Sequence, residues 1–152
     1  MKAQKGFTLV EILIVVVILG ILAAIVVPQF TQASTEAKFN SLCSNLQSIR
    51  SQIELYKVQH NDNPPSLDTF ASQMMYTTDI DGTVNGTSKA RTGDFQFGPY
   101  LERVPANPFN NQSGVAEMDA AGDTDGWEYD EDTGEIRAAD GGTTNGTAHS
   151  SL

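Results

Sequence analysis

The sequence predicts an α+β protein in which a long amino-terminal helical spine carries a small head with a short antiparallel β-sheet. Three observations predict it. An apolar run interrupted only by Thr8 and Glu11 fills Phe7 to Val27, a one-sided apolar stripe at helical spacing follows it, and a late segment alternates aromatic with charged residues between turn signals. The 152 residues leave room for one modest domain beyond the spine.

Residues 1–6 read MKAQKG and form a short basic leader. The run from Phe7 to Val27 that follows contains only two clearly polar side chains, Thr8 and Glu11. As a helix its 21 residues rise roughly 31 Å, about the thickness of a bilayer's hydrocarbon core. A cleaved secretory signal would have a shorter apolar core and a small-residue cleavage site, so a membrane-spanning segment is the better reading. Lys2 and Lys5 hold the leading end in the cytoplasm by the positive-inside rule, which sends the head to the opposite, periplasmic side.

Glu11 is the informative residue of this segment. A carboxylate within an apolar helix costs about 2.5–3.5 kcal/mol at the bilayer centre on insertion scales, so it either reaches the headgroups or has a partner. Gly20 and Pro28 both weaken a helix, glycine through backbone entropy and proline through its missing N–H, and together they predict a kink or local melting near residues 21–28. A close helix crossing at Gly20 is the alternative.

Beyond Pro28 the apolar residues become one-sided: Phe39, Leu42, Leu46, Ile49, Ile53 and Tyr56 recur every three or four positions. This predicts an amphipathic spine over residues 28–62 whose stripe carries the head. A free coiled coil needs more sustained heptads than this stretch offers. The spine is expected to stop near His60, read as a solvated helix-end residue, because Pro64 and Pro65 disfavour helix in the residues before them.

The head is assigned to residues 63–139. Ser66 is a possible cap for a short helical or turn segment running to about Met75, and residues 77–93 read as loop or a hairpin tip. Asp94 to Phe97 is a possible strand start, and the prolines of residues 98–109 make that stretch irregular. Gly126 to Ala138 reads as a β-hairpin turning at Asp132-Thr133-Gly134. Residues 140–152 look like a mobile tail, too small-sided to pack.

The formal charge is −10, and ten of the 19 acidic residues fall between Glu117 and Asp140. Such a head repels nucleic acid and anionic lipid. Asp119, Asp123 and Asp125 repeat part of a calcium-loop spacing, although Ala121 and Asp132 stand where an EF-hand requires ligands, and a solvated acidic turn is the plainer reading. The single cysteine, Cys43, excludes an intramolecular disulfide and reads as a small, buried apolar residue on a helix. Catalytic motifs are missing: the sequence holds no HExxH, phosphate-binding glycine loop or GxSxG, so an enzyme is not expected. Three Asn-x-Ser/Thr triplets, at Asn85, Asn111 and Asn145, are better explained by turn chemistry than by glycosylation.

The segment GFTLVE at Gly6 to Glu11, continuing as EILIVVVILGILAAIVVPQF, resembles the processing motif of the type IV pilins and type II secretion pseudopilins. The resemblance is specific over Lys5 to Phe30 and weakens toward Pro65. It implies a pilin-like fold, cleavage between Gly6 and Phe7 by a prepilin peptidase, and methylation of the new amino terminus. It further implies that Glu11 neutralises the amino terminus of a neighbouring subunit, that Gly20 and Pro28 let the stem loosen during assembly, and that the late acidic loop holds calcium. Expected partners are further copies of the chain in a homopolymer, the inner-membrane assembly platform and minor pilins or pseudopilins. The lack of a cysteine pair favours a secretion pseudopilus over a disulfide-looped surface pilus. A monomeric, membrane-tethered calcium-binding module is the rival from another class.

Overall fold

The computed structural model describes residues 7–120, 122 and 125–152. The leader, Gly6 included, and Asp123 lie outside them. The chain divides into two compact units, one ending at Ala37 and the other spanning Lys38–Leu152.

Helix α1 spans Leu9–Gln59. In the first unit every residue from Phe7 to Ser34 is exposed, and α1 is the one described helix long and apolar enough to cross a membrane. Of the expected kink or melting near residues 21–28, melting is not seen, because α1 is helical through both Gly20 and Pro28. Proline removes one backbone donor and costs about 3 kcal/mol in a helix interior, yet the flanking Ile, Val and Ala turns keep their own ladder bonds. Three residues on, the Thr31 hydroxyl donates to the Val27 carbonyl at 3.3 Å.

In the second unit the amphipathic stripe does what its spacing predicts. Leu42, Leu46, Ile49, Ile53 and Tyr56 are buried, and Phe39 is half-buried. Each buried aliphatic or aromatic side chain contributes about 1.5–3 kcal/mol, so this one stripe dominates the hold of the head on the helix. Against it pack Phe70 and Met74 of α2 (Phe70–Met75), Trp127 and Tyr129 of β2 (Asp125–Tyr129), and Ile136 and Ala138 of β3 (Ile136–Ala138).

The expected short helix is present as a 3-10 turn, Leu67–Thr69, running into α2. Ser66 does not cap it. The Leu67 amide instead donates to the Glu131 carboxylate at 2.8 Å, a stronger acceptor brought in from the β2–β3 turn. The hairpin is also present, with Trp127 opposite Ala138 and Tyr129 opposite Ile136.

The sheet is mixed, not purely antiparallel: β1 (Gly114–Glu117) pairs in parallel with β2, giving the order β1-β2-β3. β1 was not foreseen because four residues are too few to show a period. Gly126 is what lets it approach, since a Cβ there would stand 2.0 Å from the Gln112 carbonyl oxygen. Asp94 to Phe97 makes only isolated bridges, Thr78 to Phe97 and Thr92 to Phe95.

Two expectations are corrected in the second unit. His60 is not solvated but 1% exposed, stacked on Tyr56 at 3.7 Å and bonded to the Tyr56 carbonyl and the Thr78 hydroxyl. The aromatic surroundings bury the ring, and two polar partners offset its desolvation. Residues 140–152 are not an unpacked tail. They form a hairpin of β4 (Thr143–Thr144) and β5 (Thr147–Ala148) and a 3-10 turn, His149–Ser151, anchored by buried His149 and by Leu152 against the core. Two large side chains suffice to dock a segment that is otherwise small.

Candidate assembly site

The start of α1 is built by two residues, Thr8 and Glu11. Thr8 immediately precedes the helix and Glu11 is its third helical residue, the T-x-x-E spacing of a capping box. The Glu11 amide donates to the Thr8 hydroxyl at 3.3 Å, and the Glu11 carboxylate accepts from the Thr8 amide at 3.4 Å and its hydroxyl at 3.5 Å. Two otherwise orphaned amides at the helix start are thereby satisfied reciprocally. The carboxylate also sits where the positive end of the helix dipole favours it.

These contacts are long for hydrogen bonds, whose usual separation is about 2.9 Å, so they orient the Glu11 carboxylate more than they consume it. The site is open as well, with Thr8 and Glu11 exposed among exposed Phe7, Leu9 and Val10. Sequence reasoning treated Thr8 as an incidental polar residue. The spacing to Glu11 was the signal that could have found it.

Gly20 and Pro28 lie on α1 well beyond this cap and make no side-chain contact with it. In the head, Asp119 and Asp125 of the calcium pattern each have a partner of their own. Asp119 is ion-paired with Arg137, which also binds Glu128, and the Asp125 carboxylate accepts from the Gly122 amide at 3.0 Å. Glu128 and Asp119 together hold the Arg137 guanidinium above its usual pKa. Among the described residues no group of three or more His, Cys, Asp or Glu side chains is gathered to hold a metal ion. Asp123, the third residue of the pattern, lies outside the described residues.

The remaining charges of the head serve turns. Asp130 is held below the usual carboxylate range by the backbone amide of Asp132 and the hydroxyl of Thr133. Burial pushes the Tyr56 and Tyr129 hydroxyls well above the ordinary tyrosine value and Tyr100 up to about 12. Each keeps a core position, and the Tyr129 hydroxyl donates to the Pro65 carbonyl at 2.8 Å, tying β2 to the proline turn.

A long apolar helix with a capped carboxylate in its first turn, followed on the same helix by a stripe carrying a small sheet, defines a pilin-like subunit with a prepilin-type amino terminus. The comparisons agree. Residues 1–27 match the family model described as the prokaryotic N-terminal methylation motif. Type II secretion system core protein G of Aeromonas hydrophila is 31% identical over 113 residues, covering 72% of this chain and 71% of the relative. The protein of the same description from Pseudomonas aeruginosa is 36% identical over 115 residues, covering 72% and 71%. That from Pectobacterium carotovorum subsp. carotovorum is 41% identical over 106 residues, covering 70% and 62%. No solved structure matches the chain. The chain belongs to the type II secretion system core protein G family.

Proposed function

We propose that this chain is the major structural subunit of a type II secretion pseudopilus. It would be anchored in the inner membrane by α1 with its head in the periplasm, cut between Gly6 and Phe7 by a prepilin peptidase, and polymerised through its stems. The observation that carries the reading is the exposed apolar stem opening on a capped, exposed carboxylate. Exposed apolar surface on this scale marks a lipid or protein contact, and a filament core would replace the lipid.

In that core Glu11 supplies the selectivity. Its bonds to Thr8 are long, whereas a cationic amino terminus of a neighbouring copy about 4 Å away would gain roughly 4 kcal/mol at an effective dielectric near 20. The capping box therefore pre-orients a carboxylate that exchanges a weak partner for a strong one on assembly. Gly20 and Pro28 would let the stem adapt while it leaves the bilayer, and the platform and minor pseudopilins would complete the machine. The relatives are named as secretion components, not as enzymes.

Glu11→Ala tests the reading. The mutant should still insert and be processed but give no filaments. Because the same change also removes half of the capping box, Thr8→Ala is the companion: it removes the cap's hydroxyl and keeps the charge, and should reduce filament yield far less. Normal filament yield from Glu11→Ala would overturn the proposed role.

A further inference from the structure

Asp140, His149 and Thr144 form a hydrogen-bonded chain inside the head that the assembly function does not use. His149 Nδ1 donates to the Asp140 carboxylate at 2.8 Å, and Nε2 pairs with the Thr144 hydroxyl at 2.8 Å. The His149 residue is 1% exposed and the Asp140 side chain 4%. The order of groups is that of a nucleophile relay, but Thr144 is itself only 4% exposed, so its hydroxyl has no approach for a substrate. The chain of groups is a fastening.

What it fastens is otherwise lightly held. The hairpin pairs only Thr143 with Ala148 and Thr144 with Thr147, and two-residue strands do not stand alone in water. Outside the polar chain, the segment's large contacts are the His149 ring against Phe109 at 4.2 Å and Phe39 at 5.8 Å, and Leu152 at the core edge. Gly141 and Gly142 stand where the segment leaves the sheet. Gly141 has φ +61, and a Cβ on Gly142 would meet the His149 ring at 2.7 Å. Leu152 shares with Cys43, Leu46 and Arg50 a groove of about 610 Å³ along α1.

We propose that residues 141–152 are a strap hinged at Gly141 and Gly142 that opens as one unit, independently of the rest of the head, and that the bond from His149 to Asp140, which stays with the sheet on the fixed side of the hinge, is its latch, with Thr144 orienting the imidazole. Opening uncovers the Phe39 and Phe109 faces and widens the groove at Cys43. Local opening of this kind is expected of a segment with few apolar contacts and a short ladder. The latch holds it shut because Asp140 stays with the sheet, the preceding Ala139 amide donating to the Gly126 carbonyl at 3.1 Å, while the His149 imidazole moves with the strap. Among the described residues the carboxylate's other partner is the Gly142 amide, which donates to Asp140 at 3.2 Å.

The test is amide hydrogen exchange on the full-length protein in detergent micelles, read together with N-ethylmaleimide labelling of Cys43 at one fixed pH. Cys43 is the only thiol, so the labelling is site-specific. Asp140→Asn should speed exchange over residues 142–152 on the order of tenfold to a hundredfold, the loss of one charge-assisted buried bond, and should speed Cys43 labelling. Exchange in the α1 stretch 42–56 and in β2 and β3 should not change. Thr144→Val removes one neutral bond only and should give a smaller, several-fold rise confined to the same residues, which decides the matter if Asp140→Asn does not fold. A rise spread evenly over the head in Thr144→Val, or no rise in either variant, would overturn the proposal.

Discussion

The two parts of α1 use the same residue types to opposite ends. Ile18 and Leu19, before Ala37, are 51% and 58% exposed, whereas Ile49 and Ile53, after it, are fully buried. The difference lies in arrangement. Apolar side chains on all faces cannot all be covered by one small head, so the first part keeps its surface for lipid or other copies, while a single stripe can be covered completely within the chain. One helix thus divides its apolar surface between assembly and folding, and substitutions in its two parts should fail in different assays.

The largest effect should come from exchanging the two parts' fates. Ile53→Ala in the buried stripe is expected to cost the head about 2–5 kcal/mol, read by thermal or urea unfolding followed through Trp127 fluorescence. Leu19→Ala should leave that transition within about 0.5 kcal/mol. Equal losses from both would erase the distinction between them.

A second effect sharpens the comparison, because only the folding part carries buried phenols. Burial raises Tyr56, Tyr100 and Tyr129 in the folded head above their unfolded value near 10. As pH rises past about 10 the unfolded chain releases these protons while the folded head still holds them, so stability falls from there toward pH 12 and beyond. Melting temperature should drop steeply above about pH 10, with tyrosinate absorbance lagging until the head unfolds. Phenols titrating at their ordinary value in the folded protein would contradict the packing.

The smallest effect belongs to the head's surface. Lys89→Ala removes the 2.8 Å ion pair with Glu102, whose side chain is 88% exposed, and should move stability by less than about 1 kcal/mol and less still in high salt. A larger loss would mean that this loop does more folding work than its exposure implies.

The spine was legible because its periods are long: 21 apolar residues and then six stripe positions leave little room for another element. The hairpin was legible from Trp127, Tyr129 and Ile136 around a turn. β1 was not, being four residues whose pairing depends on distant Gly126. Nor was the packing of His60 and His149, since a histidine's environment is set by what folds over it, here Phe97 and Tyr100 for one and Phe109 for the other. The assembly site was half legible. Glu11 stood out by its cost in an apolar helix, while Thr8 was hidden by looking ordinary. Nor could spacing alone reveal that Arg137 would pair with Asp119 of the calcium pattern.

The central claim is that the stem's exposed surface serves assembly after processing, and intact mass with amino-terminal sequencing of the protein from its native membrane or filament fraction tests it most directly. The account predicts a chain that begins at N-methylated Phe7. Assemblies made of chains that still begin at Met1 would contradict it and put the tethered module in its place.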